Sequence, residues 1–583
     1  MAVALGMVLL CLVAAWPAGA ADPGVDAQIR AQIAAGEFAP AAALAQQAAD
    51  PAQRDALLGQ VAAGQAQAGA REAAVRTVAQ IGDDRVRAQI LAQVAAEPLG
   101  GRANQPGVNG ANGANGAGGG GVQPDFQDLI DLITTTVAPK TWDTNGGAGT
   151  IASFPTGVWV DAQGVLRPLM KEAKGGDLAA LRAARAQPAS QDDVRRTSPL
   201  RMISLVKLEK QIQLGLAAGR PPDEAMQMLA GLQRIRYVFV YPESGDLVLA
   251  GPAGDWTIGP EGRVLSVEGG RPVVRLDDLV VVLRYMMSGA DATFGCFITP
   301  RPQGLARAND FVKQWSRRAV RPEARKAWLE QWRAQVGKQD IEVQGLDPRT
   351  RAARILVEAD YRMKLVGMGL EEGVPGVVSY LNLIQLRPGE KPPAMGVLRW
   401  WFTLDYDAVL ASKDRLAFAV RGQGVKVQSE NEHLTAKGEQ VHTGDAEPLN
   451  RKFAQSFTAH FDALCQKYPV YGELRNICDL ALAAALVREE GVPERIGWHM
   501  TCFGDPRGYP VELGEAPKEV ETVANYRVVN RETFVAGVSG GVRVQPASLV
   551  RRQAIEVESY PRLGNQRPAA ARKPSAGDRW WWD

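Results

Sequence analysis

Apolar side chains recur at helical and strand spacings through most of the chain. Leu205, Leu208, Ile212 and Leu216 form one helical stripe, closed by Gly219, Pro221 and Pro222, and a second helix is predicted to about Arg234. Ile235, Tyr237, Phe239 and Tyr241 then fall on every second position, the period of a strand, with Gly245, Gly254 and Gly262 punctuating a short meander. A helix over Leu276–Met287, a strand near Thr293–Ile298 and helices to about Val336 follow. Further strands are predicted near Trp400–Leu404, Leu416–Arg421 and Val425–Gln428. Strands and helices come in no regular alternation, so the predicted class is α+β rather than a wound parallel sheet.

A helical hairpin is expected from Phe453 to Glu490, striped by Phe453, Phe457, Phe461 and Leu464 on one side and Leu474, Ile477 and Ala481 on the other. Pro469 and Gly472 supply the break. Trp400 and Trp401 are consecutive, so in a strand they point to opposite faces.

The N-terminal part reads differently. From residue 22 to 99 the chain is rich in Ala and Gln with helical periodicity. Gln47–Ala63 also aligns with Gln80–Ala96, 33 residues later, with eight of 17 positions identical, Asp50 with Asp83 and Arg54 with Arg87 among them. That period fits a tetratricopeptide-like helical-repeat arm, all α, of about two units. Residues 100–124 form a Gly/Asn-rich flexible linker, with ten glycines and four asparagines by residue 121. Residues 125–199 are expected to make a short α+β element, with Trp142, Gly146, Gly147, Gly149, Phe154 and Trp159 clustered in it. A large mixed α+β core then fills residues 200–560, with two subdomains expected near 200–345 and 346–560, and a disordered C-terminal tail is expected over 561–583. The tail ends in Trp580, Trp581 and Trp582, three exposed indoles beside cationic residues that suit contact with a partner.

Composition places limits on partners. The 583 residues carry 66 Lys+Arg against 64 Asp+Glu, a net charge of +2, which excludes a strongly basic nucleic-acid binder. Residues 1–20 hold an apolar run from Val3 to Trp16 and close on Ala18, Gly19 and Ala20, the pattern of a secretory signal peptide, although no Lys or Arg precedes the run. The expected mature protein is therefore exported and extracytoplasmic, without a transmembrane span. Beyond the signal stand Cys296, Cys465, Cys478 and Cys502; none lies in a CxxC pair, and buried free thiols are favoured over a disulfide between Cys465 and Cys478.

Few constellations carry chemistry. Gly537, Val538, Ser539, Gly540 and Gly541 spell GxSxG, but all four histidines precede Ser539, and a nucleophile elbow needs its His later in the chain; a glycine-rich turn is the favoured reading. Glu358 and Asp360 form an acidic pair beside Arg362 and Lys364, and an ion-pair network is favoured over acid and base chemistry. His433 and His442 flank Lys437–Gly438. A hairpin centred there would oppose the two imidazoles, which with a nearby carboxylate such as Glu430 or Glu432 could hold a divalent metal; two histidine ligands fall short of the usual three or four, and a polar cross-strand pair is the favoured reading. No Walker A, no GxGxxG after a strand and no HExxH is present, and no cofactor is expected.

The segments Leu229–Pro242, Leu247–Trp256, Cys296–Arg307, Ile355–Glu371 and Arg475–Leu486 together resemble an uncharacterised family of exported planctomycete proteins, a domain of unknown function of the DUF1598 kind. The resemblance covers roughly Leu200–Val550; it implies envelope or extracellular residence and supplies no active-site residues. Asp131–Ile151 resembles a short element of exported planctomycete proteins. The functional expectation is a non-catalytic interaction or scaffold protein of the cell envelope, contacting macromolecules through the arm and through Trp142, Trp159 and Trp580–Trp582. The rival is a secreted hydrolase using Glu358 and Asp360, or Ser539.

Overall fold

The computed structural model of the protein describes residues 23–34, 36–68, 70–96, 150–154, 157–161, 167–170, 193–259, 261–289, 293–315, 321–385, 397–434, 440–529, 532–559, 562–567 and 579–583. The signal-like residues 1–20, the linker 100–124, Trp142 and tail residues 568–578 lie outside them. The chain divides into two compact units, one of residues 1–111 with Ile212–Pro221 and one of residues 112–211 with 222–583.

The first unit contains helices α1 (Pro23–Ala34), α2 (Phe38–Gln46), α3 (Pro51–Gln67), α4 (Arg71–Val78) and α5 (Asp84–Ala96). The residues shared between the two aligned stretches have local work. Asp50 caps α3 by accepting from the Ala52 and Gln53 N–H groups, and Asp83 caps α5 by accepting from Arg85 and Val86. Leu58 and Val61 of α3, and the aligned Leu91 and Val94 of α5, all sit in one apolar cluster. Asp55, buried, accepts from the Gly82 and Asp83 N–H groups at 2.9 and 2.7 Å and so ties α3 to the turn before α5. The arm does not end at residue 99. Ala217 is buried in the same cluster with Leu214 and Ala218 packed on it, and Arg71 Nε donates to the Ala217 carbonyl at 2.9 Å. The helix Leu205–Ala217 was expected wholly within the core; its last turns belong to this unit because their apolar face completes the arm's own cluster.

The strands of the second unit are β1 (Thr150–Phe154), β2 (Gly157–Asp161), β3 (Arg167–Met170), β4 (Ser198–Ser204), β5 (Tyr237–Tyr241), β6 (Asp246–Ala253), β7 (Trp256–Ile258) and β8 (Val264–Ser266). After these come β9 (Phe294–Pro300), β10 (Gln339–Gln344), β11 (Val397–Asp405), β12 (Ala408–Ala411), β13 (Ala417–Arg421), β14 (Gly424–Leu434) and β15 (Gln440–His442). The last are β16 (Glu519–Val520), β17 (Ala524–Val529), β18 (Glu532–Val544), β19 (Glu556–Val557) and β20 (Trp581–Trp582). One sheet runs β15-β14-β11-β18-β9-β10-β16 with β17 also on β18; another runs β19-β12-β13-β5-β6-β4-β20; β1–β3 and β7–β8 form small sheets of their own. The class is α+β, as the mixed order of elements predicts. Both large sheets take strands from either side of residue 345, so the expected boundary there would cut both, and the two subdomains give way to one unit.

Trp400 and Phe402 are fully buried on one face of the first sheet, against the rings of Phe453, Phe457, Phe461 and Tyr471. Trp401 points the other way and is half-buried, as strand alternation requires. The expected helical hairpin is three helices, Pro448–Ala459, Phe461–Lys467 and Pro469–Glu489. Pro469 opens the last helix at its first turn, where its missing N–H is harmless, instead of lying in a loop. Gly472 is inside that helix; a Cβ there would lie 2.8 Å from Cδ of Pro272, so close packing, not a break, accounts for the glycine. The helix is buried without interruption from Val470 to Val487, the signature of an element surrounded by others rather than laid on a surface. Cys465 and Cys478 are buried free thiols, as are Cys296 and Cys502.

The tail departs most from expectation. Trp581 pairs with Ile203 and Trp582 with Met202, adding β20 to the edge of β4, and the Ser204 N–H donates to the Trp580 carbonyl at 2.8 Å. Trp580 and Trp581 are buried, with the guanidinium groups of Arg201 and Arg579 4.7 and 4.0 Å from the Trp581 ring. Asp583 accepts from Arg201 Nε at 2.8 Å and from Arg196 at 2.9 Å. The indoles are therefore not a solvated tail, because an open strand edge and two cations take them up.

Candidate functional site

The sheet's pleat gathers the polar residues of β11, β14, β15 and β18 on the face opposite Trp400. Arg399 of β11 stands across from Glu430 of β14 on one side and from Ser539 of β18 on the other. Glu432, two residues along from Glu430, shares its face and stands across from His442 of β15. The hairpin register is thus one residue away from that expected: His442 opposes Glu432, and His433 opposes Val441. A slip of one residue turns a side chain to the other face, which removes His433 as the partner of His442; the His433 side chain lies outside the described ones.

The result is a compact polar cluster. His442 Nδ1 lies 3.1 Å from Glu432 Oε1 and 3.4 Å from Glu430 Oε2, and the three atoms lie within 4.8 Å of one another. Arg399 Nη1 is 3.1 Å from Glu430 Oε2 and 3.3 Å from His442 Nδ1, and its guanidinium stacks 4.7 Å from the Trp401 ring. The other oxygen of each carboxylate is held from outside: the Gly444 N–H donates to Glu430 Oε1 at 2.7 Å, and Ser539 Oγ donates to Glu432 Oε2 at 3.0 Å. Both glutamates are buried, whereas the His442 side chain is 61% exposed, so the cluster reaches solvent through the imidazole.

Their surroundings push the two carboxyls apart. Burial raises Glu432 above the ordinary glutamate range despite the Ser539 hydroxyl, Arg399 and His442. Burial also acts on Glu430, but the Gly444 N–H, Arg399 and His442 outweigh it and hold that carboxyl below its usual range. Glu430, Glu432 and His442 form the one group of three potential metal ligands among the described residues. Arg399 carries the countercharge, and sequence reasoning missed it; its signal is a single cation alternating with the core residues Leu398 and Trp400.

The remaining predicted residues are placed elsewhere. Ser539 is buried in the middle of β18, a 13-residue strand, so GxSxG forms neither a nucleophile elbow nor a turn. Its glycines answer to crowding: a Cβ on Gly540 would lie 1.8 Å from the Trp400 carbonyl oxygen and one on Gly541 2.1 Å from that of Cys296. Glu358 and Asp360 lie on the helix Arg351–Gly367, where residues two apart diverge by about 200°. Glu358 pairs with Arg263, which also pairs with Glu473, itself joined to Arg351 and through it to Asp278. Asp360 pairs instead with Lys364 at 2.7 Å, both side chains wholly buried. The two carboxylates thus share no cleft and belong to separate ion-pair systems, the reading the sequence favoured. A third buried pair lies elsewhere in the second unit: Arg234 forms a bidentate bond with Asp479 at 2.7 and 2.8 Å, and Tyr406 donates to the same carboxylate at 2.8 Å. The backbone of Trp159 belongs to β2; its side chain lies outside the described ones.

The segment that carries the Asp360–Lys364 pair also decides the family comparison. Residues 296–380 match DUF1598, described as a protein of unknown function. The DUF1598 segment takes in most of β9, all of β10 and the whole helix Arg351–Gly367, with Glu358 and Asp360 inside it. Arg399, Glu430, Glu432, His442 and Ser539 lie beyond the DUF1598 match. No curated protein and no solved structure gives a significant match.

Proposed function

We propose that the protein is an exported, extracytoplasmic scaffold of the cell envelope that binds other macromolecules and performs no catalysis. The observation that carries the proposal is the first unit. It is a helical array with its own apolar cluster, in which the residues echoed at 33-residue spacing cap and pack equivalent helices. Stacked helix pairs of this kind present a groove to protein partners, and the proposal takes the array as a tetratricopeptide-like repeat. Export rests on the signal-like residues 1–20. Among the described residues no helix is long and apolar enough to cross a membrane, which is consistent with attachment through partners. The hydrolase rival has weaker support, because Glu358, Asp360 and Ser539 are each committed to a buried pair or hydrogen bond.

Photo-crosslinkers placed at the exposed positions Gln60 and Arg76 of the full chain, expressed in its native envelope, test the proposal. Specific adducts with envelope macromolecules at one or both positions are expected. The absence of adducts, together with turnover of a peptide, ester or glycan substrate that is lost in Ser539→Ala or in Asp360→Asn shown to be folded, would replace the scaffold with the hydrolase.

A further inference from the structure

The geometry points to a divalent-cation site at Glu430, Glu432 and His442, entered by displacement of Arg399. The ligand set is Glu430 Oε2, Glu432 Oε1 and His442 Nδ1. A tetrahedral ion with bonds of roughly 2.0–2.1 Å places its ligand atoms about 3.3 Å apart. His442 Nδ1 already lies 3.1 and 3.4 Å from the two carboxylate oxygens, so little rearrangement is needed on that side.

Two features separate this arrangement from an ordinary acidic cluster. The first is the outer set of hydrogen bonds. The Gly444 N–H holds Glu430 Oε1, and the Ser539 hydroxyl holds Glu432 Oε2, so each carboxylate is fixed by the oxygen that faces away from the imidazole. Donors of this kind orient monodentate carboxylates and raise metal affinity. The second is the resident cation. Arg399 Nη1 lies within 3.1–3.3 Å of Glu430 Oε2 and His442 Nδ1, two of the atoms a metal would bind, so the socket already holds positive charge. The Trp401 ring, 4.7 Å from the guanidinium, gives Arg399 a surface on which to remain after its polar contacts are lost. Arg399 alone offsets one of the two carboxylate charges, whereas a dication offsets both and leaves the guanidinium to the Trp401 ring and solvent. One imidazole and two carboxylates suit zinc or a neighbouring first-row ion, with the fourth position left to water.

The test is titration of the metal-free full chain with zinc ion by calorimetry, checked by elemental analysis after dialysis. One zinc per chain is expected in the wild type, with affinity lowered by at least about tenfold in Ser539→Ala, which alters orientation and no ligand. His442→Ala is expected to abolish binding, and it should fold, since that side chain is largely exposed. Arg399→Ala should bind more tightly than the wild type. No stoichiometric zinc in the wild type, or equal binding by His442→Ala, overturns the site. Weaker binding by a folded Arg399→Ala overturns the displacement; if that variant does not fold, the wild type and His442→Ala decide the matter.

Discussion

Asp360 and Lys364 are one helical turn apart with both charged ends withdrawn from water. Burial raises the Asp360 carboxyl, and Lys364, with smaller help from the Gly541 N–H and Arg399, draws it back only in part, so Lys364 is the main support of its ionised form. Removing one partner leaves a charge without compensation. Asp360→Asn is therefore expected to cost about 3–5 kcal/mol, whereas Asp360→Leu with Lys364→Met should be close to neutral or stabilising. Denaturant unfolding of the two variants checks this, and equal losses would show that the pair's packing matters more than its charge. At this scale the sequence was informative where alternation alone decides, as with Trp400 and Trp401. It misled in the pairing of β14 with β15, where one residue of difference in register exchanges His433 for Glu432 opposite His442. Cys465 and Cys478 were legible as buried thiols, Cys296 and Cys502 were not, and burial raises Cys465 and Cys502 to about 12, so these stay protonated and slow to react at neutral pH.

At the scale of elements, β18 shows why a catalytic signature misleads. Parallel to β11 on one side and antiparallel to β9 on the other, it has a neighbouring backbone along both edges, and its glycines sit where those backbones come close. Gly540→Ala is expected to unfold the protein or lower its melting temperature severely, while Ser539→Ala should cost only about 1–2 kcal/mol, the loss of one buried hydrogen bond. Thermal unfolding of the two variants distinguishes a packing role from a nucleophile's elbow, for which the serine would be dispensable to stability. Helix Leu276–Met287 and strands β9, β11 and β13 were legible because their apolar period is unbroken. The helix Pro469–Glu489 was legible as a helix but not in its surroundings, since burial on every side leaves no polar stripe to read.

For the whole molecule, the sequence indicates a helical part followed by an α+β part, but not which distant segments pair. Nothing local in Met202 or Trp582 announces the other. Asp583 is drawn below the ordinary aspartate range because Arg201 and Arg196 outweigh its burial. A carboxyl of lowered native pKa contributes stability that is fully present above its unfolded value near 3.8 and is lost as pH falls below that value towards the native one. Acid titration should therefore release β20 in that window, seen as a change in tryptophan emission that Asp583→Asn brings about already at neutral pH. An emission change that is the same in both proteins would place the transition elsewhere.

The pairing of β20 with β4 also bears on how the chain is made. Arg201 and Asp583 meet across 382 positions, so this edge of the sheet is closed by residues synthesised long after β4 itself. Until then β4 has its backbone donors and acceptors open along one side, a template for any extended chain nearby. Contacts of such separation form late and slowly. A nascent chain, or one stopped before residue 580, would therefore be the form most prone to aggregate and most in need of a chaperone, and residues 580–583 would determine when that exposure ends.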